Sequence, residues 1–459
     1  MSEGAAASPD GEPSNGESES RSLEKRAVKG SILEMGFYGA SQVLRLGSNL
    51  LLTRLLFPEA FGLMTTLAVF NTGLIMLSDV GIEQSVIQNE KGEEKDFLDT
   101  AWTLQVIRGW GLYLVALLLA YPMAVLGQQE ELLWLIPAGS LSVPIASLGS
   151  TAEFTLRRRV EPGRILMLDF GAQVVGVGTM VVWAWISPSI WALVGGNIAR
   201  EFVRTAGTHV VLPVDYQNRF RMHRASRDAI AEFGRWILGS SAVFYLASFA
   251  DRLVLLPFIG AERLGVYSIA ALLSEAAFAV IGKVIHGVVF PVFSRVGEGG
   301  RDKLREFYYR ARLRLDALAM TAVGLLATLG PFFVQLLWDE RYADAAWMLQ
   351  ILALKAGTRT IFVPADYCLM SIGLVRFGFF NNVARAVWIF AGIPIGHYLA
   401  GEVGVFWAVA LSDLPSVFVL WPALAREKLL RLDRELLAWV FAAFGAGLGW
   451  LIARGLEML

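Results

Sequence analysis

From residue 31 to residue 455 the sequence alternates between long apolar runs and short polar breaks. Thirteen runs can be drawn, over residues 31–57, 61–88, 100–126, 131–156, 164–186, 189–212, 233–258, 264–293, 313–337, 344–370, 376–398, 402–424 and 436–455. A helix crossing the hydrocarbon of a bilayer needs about 20 predominantly apolar residues, and each run is long enough. Inside lipid every backbone N–H and C=O must be bonded within the protein, so runs of this kind fold as helices. The balance of 55% apolar to 18% charged residues points the same way, since soluble domains average roughly 45–50% and about 25%. A soluble enzyme with this composition would expose more apolar surface than water tolerates. The formal net charge of −1 lacks the basic surplus that a nucleic-acid partner calls for. The expectation is an all-α polytopic membrane protein.

Lys and Arg set the orientation, because basic loops stay in the cytoplasm. With the N-terminus inside, the inner segments carry 26 of the 40 basic residues and the outer ones only Arg263, Arg341 and Arg454. Residues 1–20 are rich in Ser, Gly, Pro and acids, without the basic start and early apolar core of a signal peptide. They read as part of a disordered cytoplasmic tail over 1–28. Cys368 is the single cysteine and has no partner for an intrachain disulfide.

A weak internal repeat divides the rest. Glu59-Ala-Phe-Gly62 opens the second run and Glu262-Arg-Leu-Gly265 opens the eighth, at equivalent places in two halves of like orientation. Two six-helix lobes related by an axis along the membrane normal fit that spacing. The expected division is a first lobe over 29–212, a cytoplasmic linker over 213–232, a second lobe over 233–424 and an extra C-terminal helix over 425–459.

Eleven basic residues remain inside the runs. A charge at mid-membrane costs about 2.5–3.5 kcal/mol on insertion scales, so such residues face a partner or a hydrated cavity. By depth, Arg45, Arg200, Arg204, Lys283, Lys355, Arg359 and Arg385 are candidates to line a cationic central cavity that binds an anionic group. Asp79, Glu275, Asp251, Asp366 and Asp413 are candidates for ion coupling or gating. Helical spacing groups Arg200 with Arg204, Lys355 with Arg359 and Asp366, Asp79 with Glu83, and Gln42 with Arg45 and Asn49. Asp251 and Arg252 are neighbours and so point apart. Internal ion pairing that fixes helix register is the plainer alternative for any one of these residues. Trp388 and Tyr245 could stack on sugars or simply pack. No phosphate loop, zinc motif or Cys/His cluster occurs, and no cofactor or metal is expected.

The stretches GASQVLRLGSNLLLTRLLFPEAFGLMTTLAVF (39–70), SDVGIEQSVIQ (78–88) and DFLDTAWTLQVIRG (96–109) resemble the Wzx-type oligosaccharide/polysaccharide flippases. That family belongs to the multidrug/oligosaccharidyl-lipid/polysaccharide exporter superfamily. The resemblance implies a bacterial inner-membrane transporter, not an enzyme. It would move an undecaprenyl-pyrophosphate-linked oligosaccharide between leaflets by alternating access, for exopolysaccharide or lipopolysaccharide export. Its partners would be that lipid-linked substrate, membrane lipids and other polysaccharide-assembly proteins, with no nucleic acid. Arg45 carries over as lumen-facing, and Arg54 as a support at the outer end. Fourteen spans are common in the family, whereas here one clear helix follows the first twelve. A cation-coupled multidrug-type antiporter of the same superfamily is the nearest alternative, and a membrane enzyme or scaffold of polysaccharide assembly a more distant one.

Overall fold

The structure, a computed structural model, describes residues 15–159, 161–212, 217–285 and 289–457. Every regular element among them is helical. Helix α1 (Asn15–Leu55) has 41 residues and at 1.5 Å per residue is about 60 Å long, so its first half extends past a bilayer core of about 30 Å. Its start at Asn15 lies within the stretch read from sequence as disordered tail. Residues 1–14 fall outside the described residues.

Several expected spans are broken, for local chemical reasons. Helix α2 (Pro58–Met76) starts with proline in its first turn, where no N–H is missed. It ends before Asp79, whose Oδ1 accepts from Gly81 N at 3.0 Å. Gly81 sits at φ 61°, and α3 (Ile82–Gln88) restarts from it. After α4 (Lys95–Gly127), the fourth passage is α5 (Leu132–Ser140), α6 (Ser142–Ser147) and α7 (Ala152–Arg158), bent by 63° before α7. Thr208 Oγ1 accepts from Ser150 N at 2.9 Å across that bend, meeting a donor the break releases.

Helices α8 (Gly163–Ile186), α9 (Ile190–Val210) and α10 (Arg224–Ser248) follow. Helix α11 (Asp251–Val284) is divided at Gly260, φ 75°. Next come α12 (Phe290–Gly297), α13 (Arg301–Leu337), a 3-10 turn over Glu340–Tyr342, α14 (Ala345–Ser371) and α15 (Val375–Ala410). Helix α15 breaks at Ala400 and Gly401. There Gly396 and Gly404 approach so closely that a Cβ on either would strike the other's carbonyl. Helices α16 (Ser416–Arg426) and α17 (Leu432–Glu457) complete the chain.

Among the described residues seven helical stretches are long and apolar enough to cross a membrane, or eight with the bent pair as one passage. Thirteen runs were expected, and the difference has an address. Two stretches each hold two runs end to end, Ile237–Ala276 broken at Gly260 and Val375–Ala410 broken at Gly401. The remaining three helices carry polar groups at mid-length. These are Gln42, Arg45 and Asn49 in α1; Arg200, Glu201 and Arg204 in α9; and Lys355, Arg359 and Asp366 in α14.

Helices α1–α9 pack mostly on one another, as do α10–α17. The two groups meet chiefly where α2 lies along α11 and where α10 crosses α2, α3 and α4. The largest core runs through the first junction, with Leu63, Leu67 and Phe70 against Leu255, Leu256 and Leu264. A smaller one joins Ile230 of α10 to Ile82, Val86, Phe97 and Leu98. Large apolar side chains such as Leu118, Trp185, Leu318, Tyr398 and Phe418 stand exposed on the outside, as a lipid-facing surface requires.

Candidate functional site

At one end of the α2–α11 junction the two helix groups are sealed together. A Cβ built at Gly62 would fall on the carbonyl of Ala261, and one at Gly265 on the carbonyl of Pro58. Each glycine thus meets the residue four before the other, so the two short Glu-x-x-Gly elements pack reciprocally. Only glycine lets two backbones approach this way. Around this contact Phe61 meets Tyr342 edge-on at 6.3 Å.

Arg341 completes the seal. The last carbonyls of a helix have no intrahelical donor, and Arg341 donates to those of α1, to Thr53 O at 2.8 Å and Leu56 O at 3.1 Å. Its guanidinium lies 5.6 Å from the Phe57 ring and 2.6 Å from Asp339 Oδ2. The hydrogen bond from Arg341 holds the Asp339 carboxyl below the ordinary range. Nearby, Arg263 pairs with Asp344 and, at 3.1 Å, with Glu402.

A second feature is a charge cluster inside the α10–α17 group. Asp251, 3% exposed, opens α11 after the turn at Phe249–Ala250. Its carboxylate receives Lys355 Nζ at 3.2 Å, Arg252 Nη1 at 3.3 Å and the Tyr267 hydroxyl at 3.2 Å. The expectation that Asp251 and Arg252 point apart is therefore corrected. Their Cβ atoms diverge, but the Arg252 side chain is long enough to return to its neighbour while also reaching Glu275. Arg385 Nε lies 2.6 Å from Asp413 Oδ1. Arg359 interacts electrostatically with Asp413, Glu275, Arg385 and Arg252, and Asp366 with Arg385. Four cations thus stand among four acids. The sequence led us to expect cations to prevail, whereas this cluster is balanced. A cavity of about 20 Å³ among Tyr267, Ser274, Glu275, Lys355 and Arg359 has room for little more than one water.

The other candidates are dispersed. Arg204 is held between Asp169 at 2.7 Å and Glu153 at 2.9 Å, tying α9 to α8 and α7. Arg157 shares Glu153 and reaches Glu83 at 3.4 Å. Arg200 is half-exposed beside Glu201, and Arg45 is exposed on α1. Asp79 and Glu83, read as one buried face of the second span, are corrected to turn former and surface partner, because the helix stops between α2 and α3. Asp413 likewise lies in a turn, between α15 and α16. Asp366 faces Gly378 across α14 and α15. The side chain of Lys283 and all of His286 lie outside the described residues. Trp388 and Tyr245 donate to the carbonyls of Ala408 and Val69 at 2.9 and 3.1 Å, so both are engaged in packing.

Sequence reasoning passed over Arg341 as a loop residue, although its place just outside a helix end was a signal. It did not single out Tyr267, which meets Asp251 sixteen residues away across the break at Gly260. It also missed the buried set of Arg312, Asp316 and Glu435, where Arg312 is 3.0 Å from Asp316 and also pairs with Glu435. The i,i+4 spacing of Arg312 and Asp316 was the clue.

Comparison with known proteins places this architecture. A family model described as polysaccharide biosynthesis protein matches residues 51–347, well over half of the chain. The chain belongs to that family. Among family-like relatives, the lipopolysaccharide biosynthesis protein WzxC of Escherichia coli (strain K12) is 26% identical over 354 residues, covering 77% of this chain and 72% of that one. Solved structures share the fold, among them two with TM-scores near 0.7. The lipid II flippase MurJ, in an inward closed conformation, has a TM-score of 0.70 at 12% identity, covering 93% of each chain. An inward-facing multidrug resistance MATE transporter of the MOP superfamily has 0.69 at 17% identity, covering 85% of this chain and 95% of that one. This member of the polysaccharide biosynthesis family is a multi-pass α-helical membrane protein.

Proposed function

We propose that the chain is a carrier, not an enzyme, that moves a lipid-linked oligosaccharide across the bacterial inner membrane for surface polysaccharide export. The cargo class is an undecaprenyl-pyrophosphate glycan, and the mechanism is alternating access between lobes at 29–212 and 233–424 with the N-terminus cytoplasmic. The sealed face carries this reading. Two helix groups are clamped at one end by a glycine contact and an arginine cap, while their other principal contact is the single helix α10. Such a molecule has an evident way to open at one end or the other. Family membership and the fold shared with a lipid II flippase support the cargo class.

In this reading Arg45 and Arg200, the exposed cations, grip the diphosphate, because a guanidinium fork binds phosphate oxygens bidentately. Arg204, Lys283, Lys355, Arg359 and Arg385 line the further path. Those held by Asp251, Glu275, Asp366 and Asp413 become available as the pairs open, which makes these acids the gate and ion-coupling groups. The polyprenyl tail remains in lipid between the lobes. Membrane lipids and other polysaccharide-assembly proteins are the partners.

The test is deletion of the gene in its host, followed by complementation with wild type or with Arg45→Ala plus Arg200→Ala. Wild type restores surface polysaccharide, and the variant, present at equal level in the membrane, does not. Full restoration by the variant would end the role given to these cations. The charge balance of the Asp251 cluster and the fold shared with a multidrug transporter favour a second reading, a cation-coupled multidrug-type antiporter. Deletion that leaves surface glycans intact and raises drug sensitivity would replace the first reading with that one.

A further inference from the structure

The start of α13 and the start of α17 form a groove that the transport reading leaves unused. It holds about 480 Å³ and is lined by Lys303, Arg305, Arg310, Arg431 and Arg434, with Asp302 and Glu306 on its wall. Five cations against two acids leave a formal charge of +3, or +2 when Asp433, 3.3 Å from Arg431, is included. Arg305 lies 3.1 Å from Asp302, and Arg310 lies 2.5 Å from Glu306. Exposed pairs of this kind contribute little energy. They orient the guanidinium groups without cancelling the local potential.

The floor is rigid. The Tyr309 hydroxyl donates to Glu435 Oε1 at 3.0 Å and accepts from Arg431 N at 2.7 Å. Beneath it the fully buried Arg312 binds Asp316 of its own helix and Glu435 of α17. Those buried charges lock the two walls in register, because breaking one member leaves another uncompensated. A ligand therefore meets a groove already formed.

Below the basic rim the same helices turn apolar, with Leu313 of α13 and Leu437 and Phe441 of α17 lining an adjoining recess beside Arg434. A free anion would use only the rim. An amphiphile uses the rim and the apolar band together.

We propose that this groove docks an anionic phospholipid, its phosphate between Arg310, Arg434 and Lys303 and its acyl chains along Leu313, Leu437 and Phe441. Basic pockets between membrane helices at the headgroup level have the chemistry to do this. The site gives α17, the helix beyond the twelve core spans, a role of its own as one wall of a lipid site.

The full chain in a neutral detergent, titrated with phosphatidylglycerol or phosphatidylcholine and read by native mass spectrometry, tests this. Phosphatidylglycerol binds in preference, and 0.5 M NaCl weakens that binding to the wild type. Arg310→Gln plus Arg434→Gln lowers its affinity about 30-fold, at about fivefold per basic residue. Both side chains are exposed, so thermal stability without lipid stays as in wild type. Should that variant fail to fold, the salt titration of the wild type decides. Equal binding of the two lipids, insensitivity to salt, or unweakened binding by a folded double variant would overturn the proposal. So would inorganic phosphate displacing phosphatidylglycerol at equal concentration, since a simple anion site would then suffice.

Discussion

Replacing Gly62 by alanine should unseal the α2–α11 contact, and the size of the effect follows from its geometry. The added Cβ would lie 2.8 Å from the carbonyl carbon of Ala261 and 2.9 Å from Gly265 N, where carbon contacts are comfortable at about 3.5–4.0 Å. Both obstacles are backbone, and a close-packed interior offers no slack. The helices must separate by about 1 Å, at an overpacking cost of about 1–3 kcal/mol borne by the sealed state alone. Taking about 2 kcal/mol, the ratio of sealed to unsealed molecules falls about 30-fold. Cys368 is the single cysteine and is buried, so a Cys368→Ala background carrying Ala261→Cys provides a clean reporter. Ala261 is 2% exposed in the seal, and a polar maleimide reaches a cysteine there only in unsealed molecules. Gly62→Ala should speed labelling of detergent-purified protein about 30-fold. Gly265→Ala should do the same by reciprocity, and the double variant should gain less than the sum, because both relieve one contact. Gly178→Ala, with nothing within 4 Å of its Cβ, should leave the rate unchanged. Wild-type labelling by a folded Gly62→Ala, or a large effect from one glycine and none from the other, would refute the reasoning.

Asp251→Asn should lower the thermal midpoint in detergent sharply, by about 3–5 kcal/mol of stability, because Lys355 and Arg252 would lose their shared anion inside the protein; adding Lys355→Met should recover part of the loss, and no recovery would mean that the pair is not coupled. The Asp339–Arg341 bond should show itself in pH. A carboxyl whose folded pKa is depressed contributes stability that is fully present above its unfolded value of about 3.9 and is lost as pH falls through the folded value. The midpoint difference between wild type and Asp339→Asn should therefore be flat above about pH 5 and shrink below about pH 4, and a difference that instead grows in acid would contradict that sign.

Hydropathy made the helical runs legible because burial of backbone in lipid leaves no other choice, whereas the four-residue match at Gly62 and Gly265 was read as a repeat and not as the contact the two elements make. What hydropathy averages away is a break of two or three residues. Asp79 with Gly81, the turn at Phe249–Ala250 and the turn around Asp413 each stop a helix inside a single apolar run. Helical spacing, in turn, follows Cβ directions and ignores reach. It grouped Lys355 with Arg359 correctly on one helix, yet set Asp251 and Arg252 apart and could not see that Glu435 lies against Arg312 from more than a hundred residues away. The acids that balance the cations come from other helices, so only tertiary structure could replace the expected surplus of positive charge with a matched set.

The reciprocity of the Gly62–Gly265 contact has one further consequence. It is isologous, the geometry that a two-fold homodimer of half-length chains builds without design, since each copy offers the same patch to the other. In such a dimer one substitution changes both sides at once, whereas in a single chain each side mutates alone. The joined chain can therefore keep its glycines where the backbones touch and let the surrounding residues diverge. Ala60 and Phe61 on one side, with Arg263 and Leu264 on the other, already show that freedom. A carrier whose cargo has no symmetry needs that licence, because its two halves must meet different parts of the same molecule.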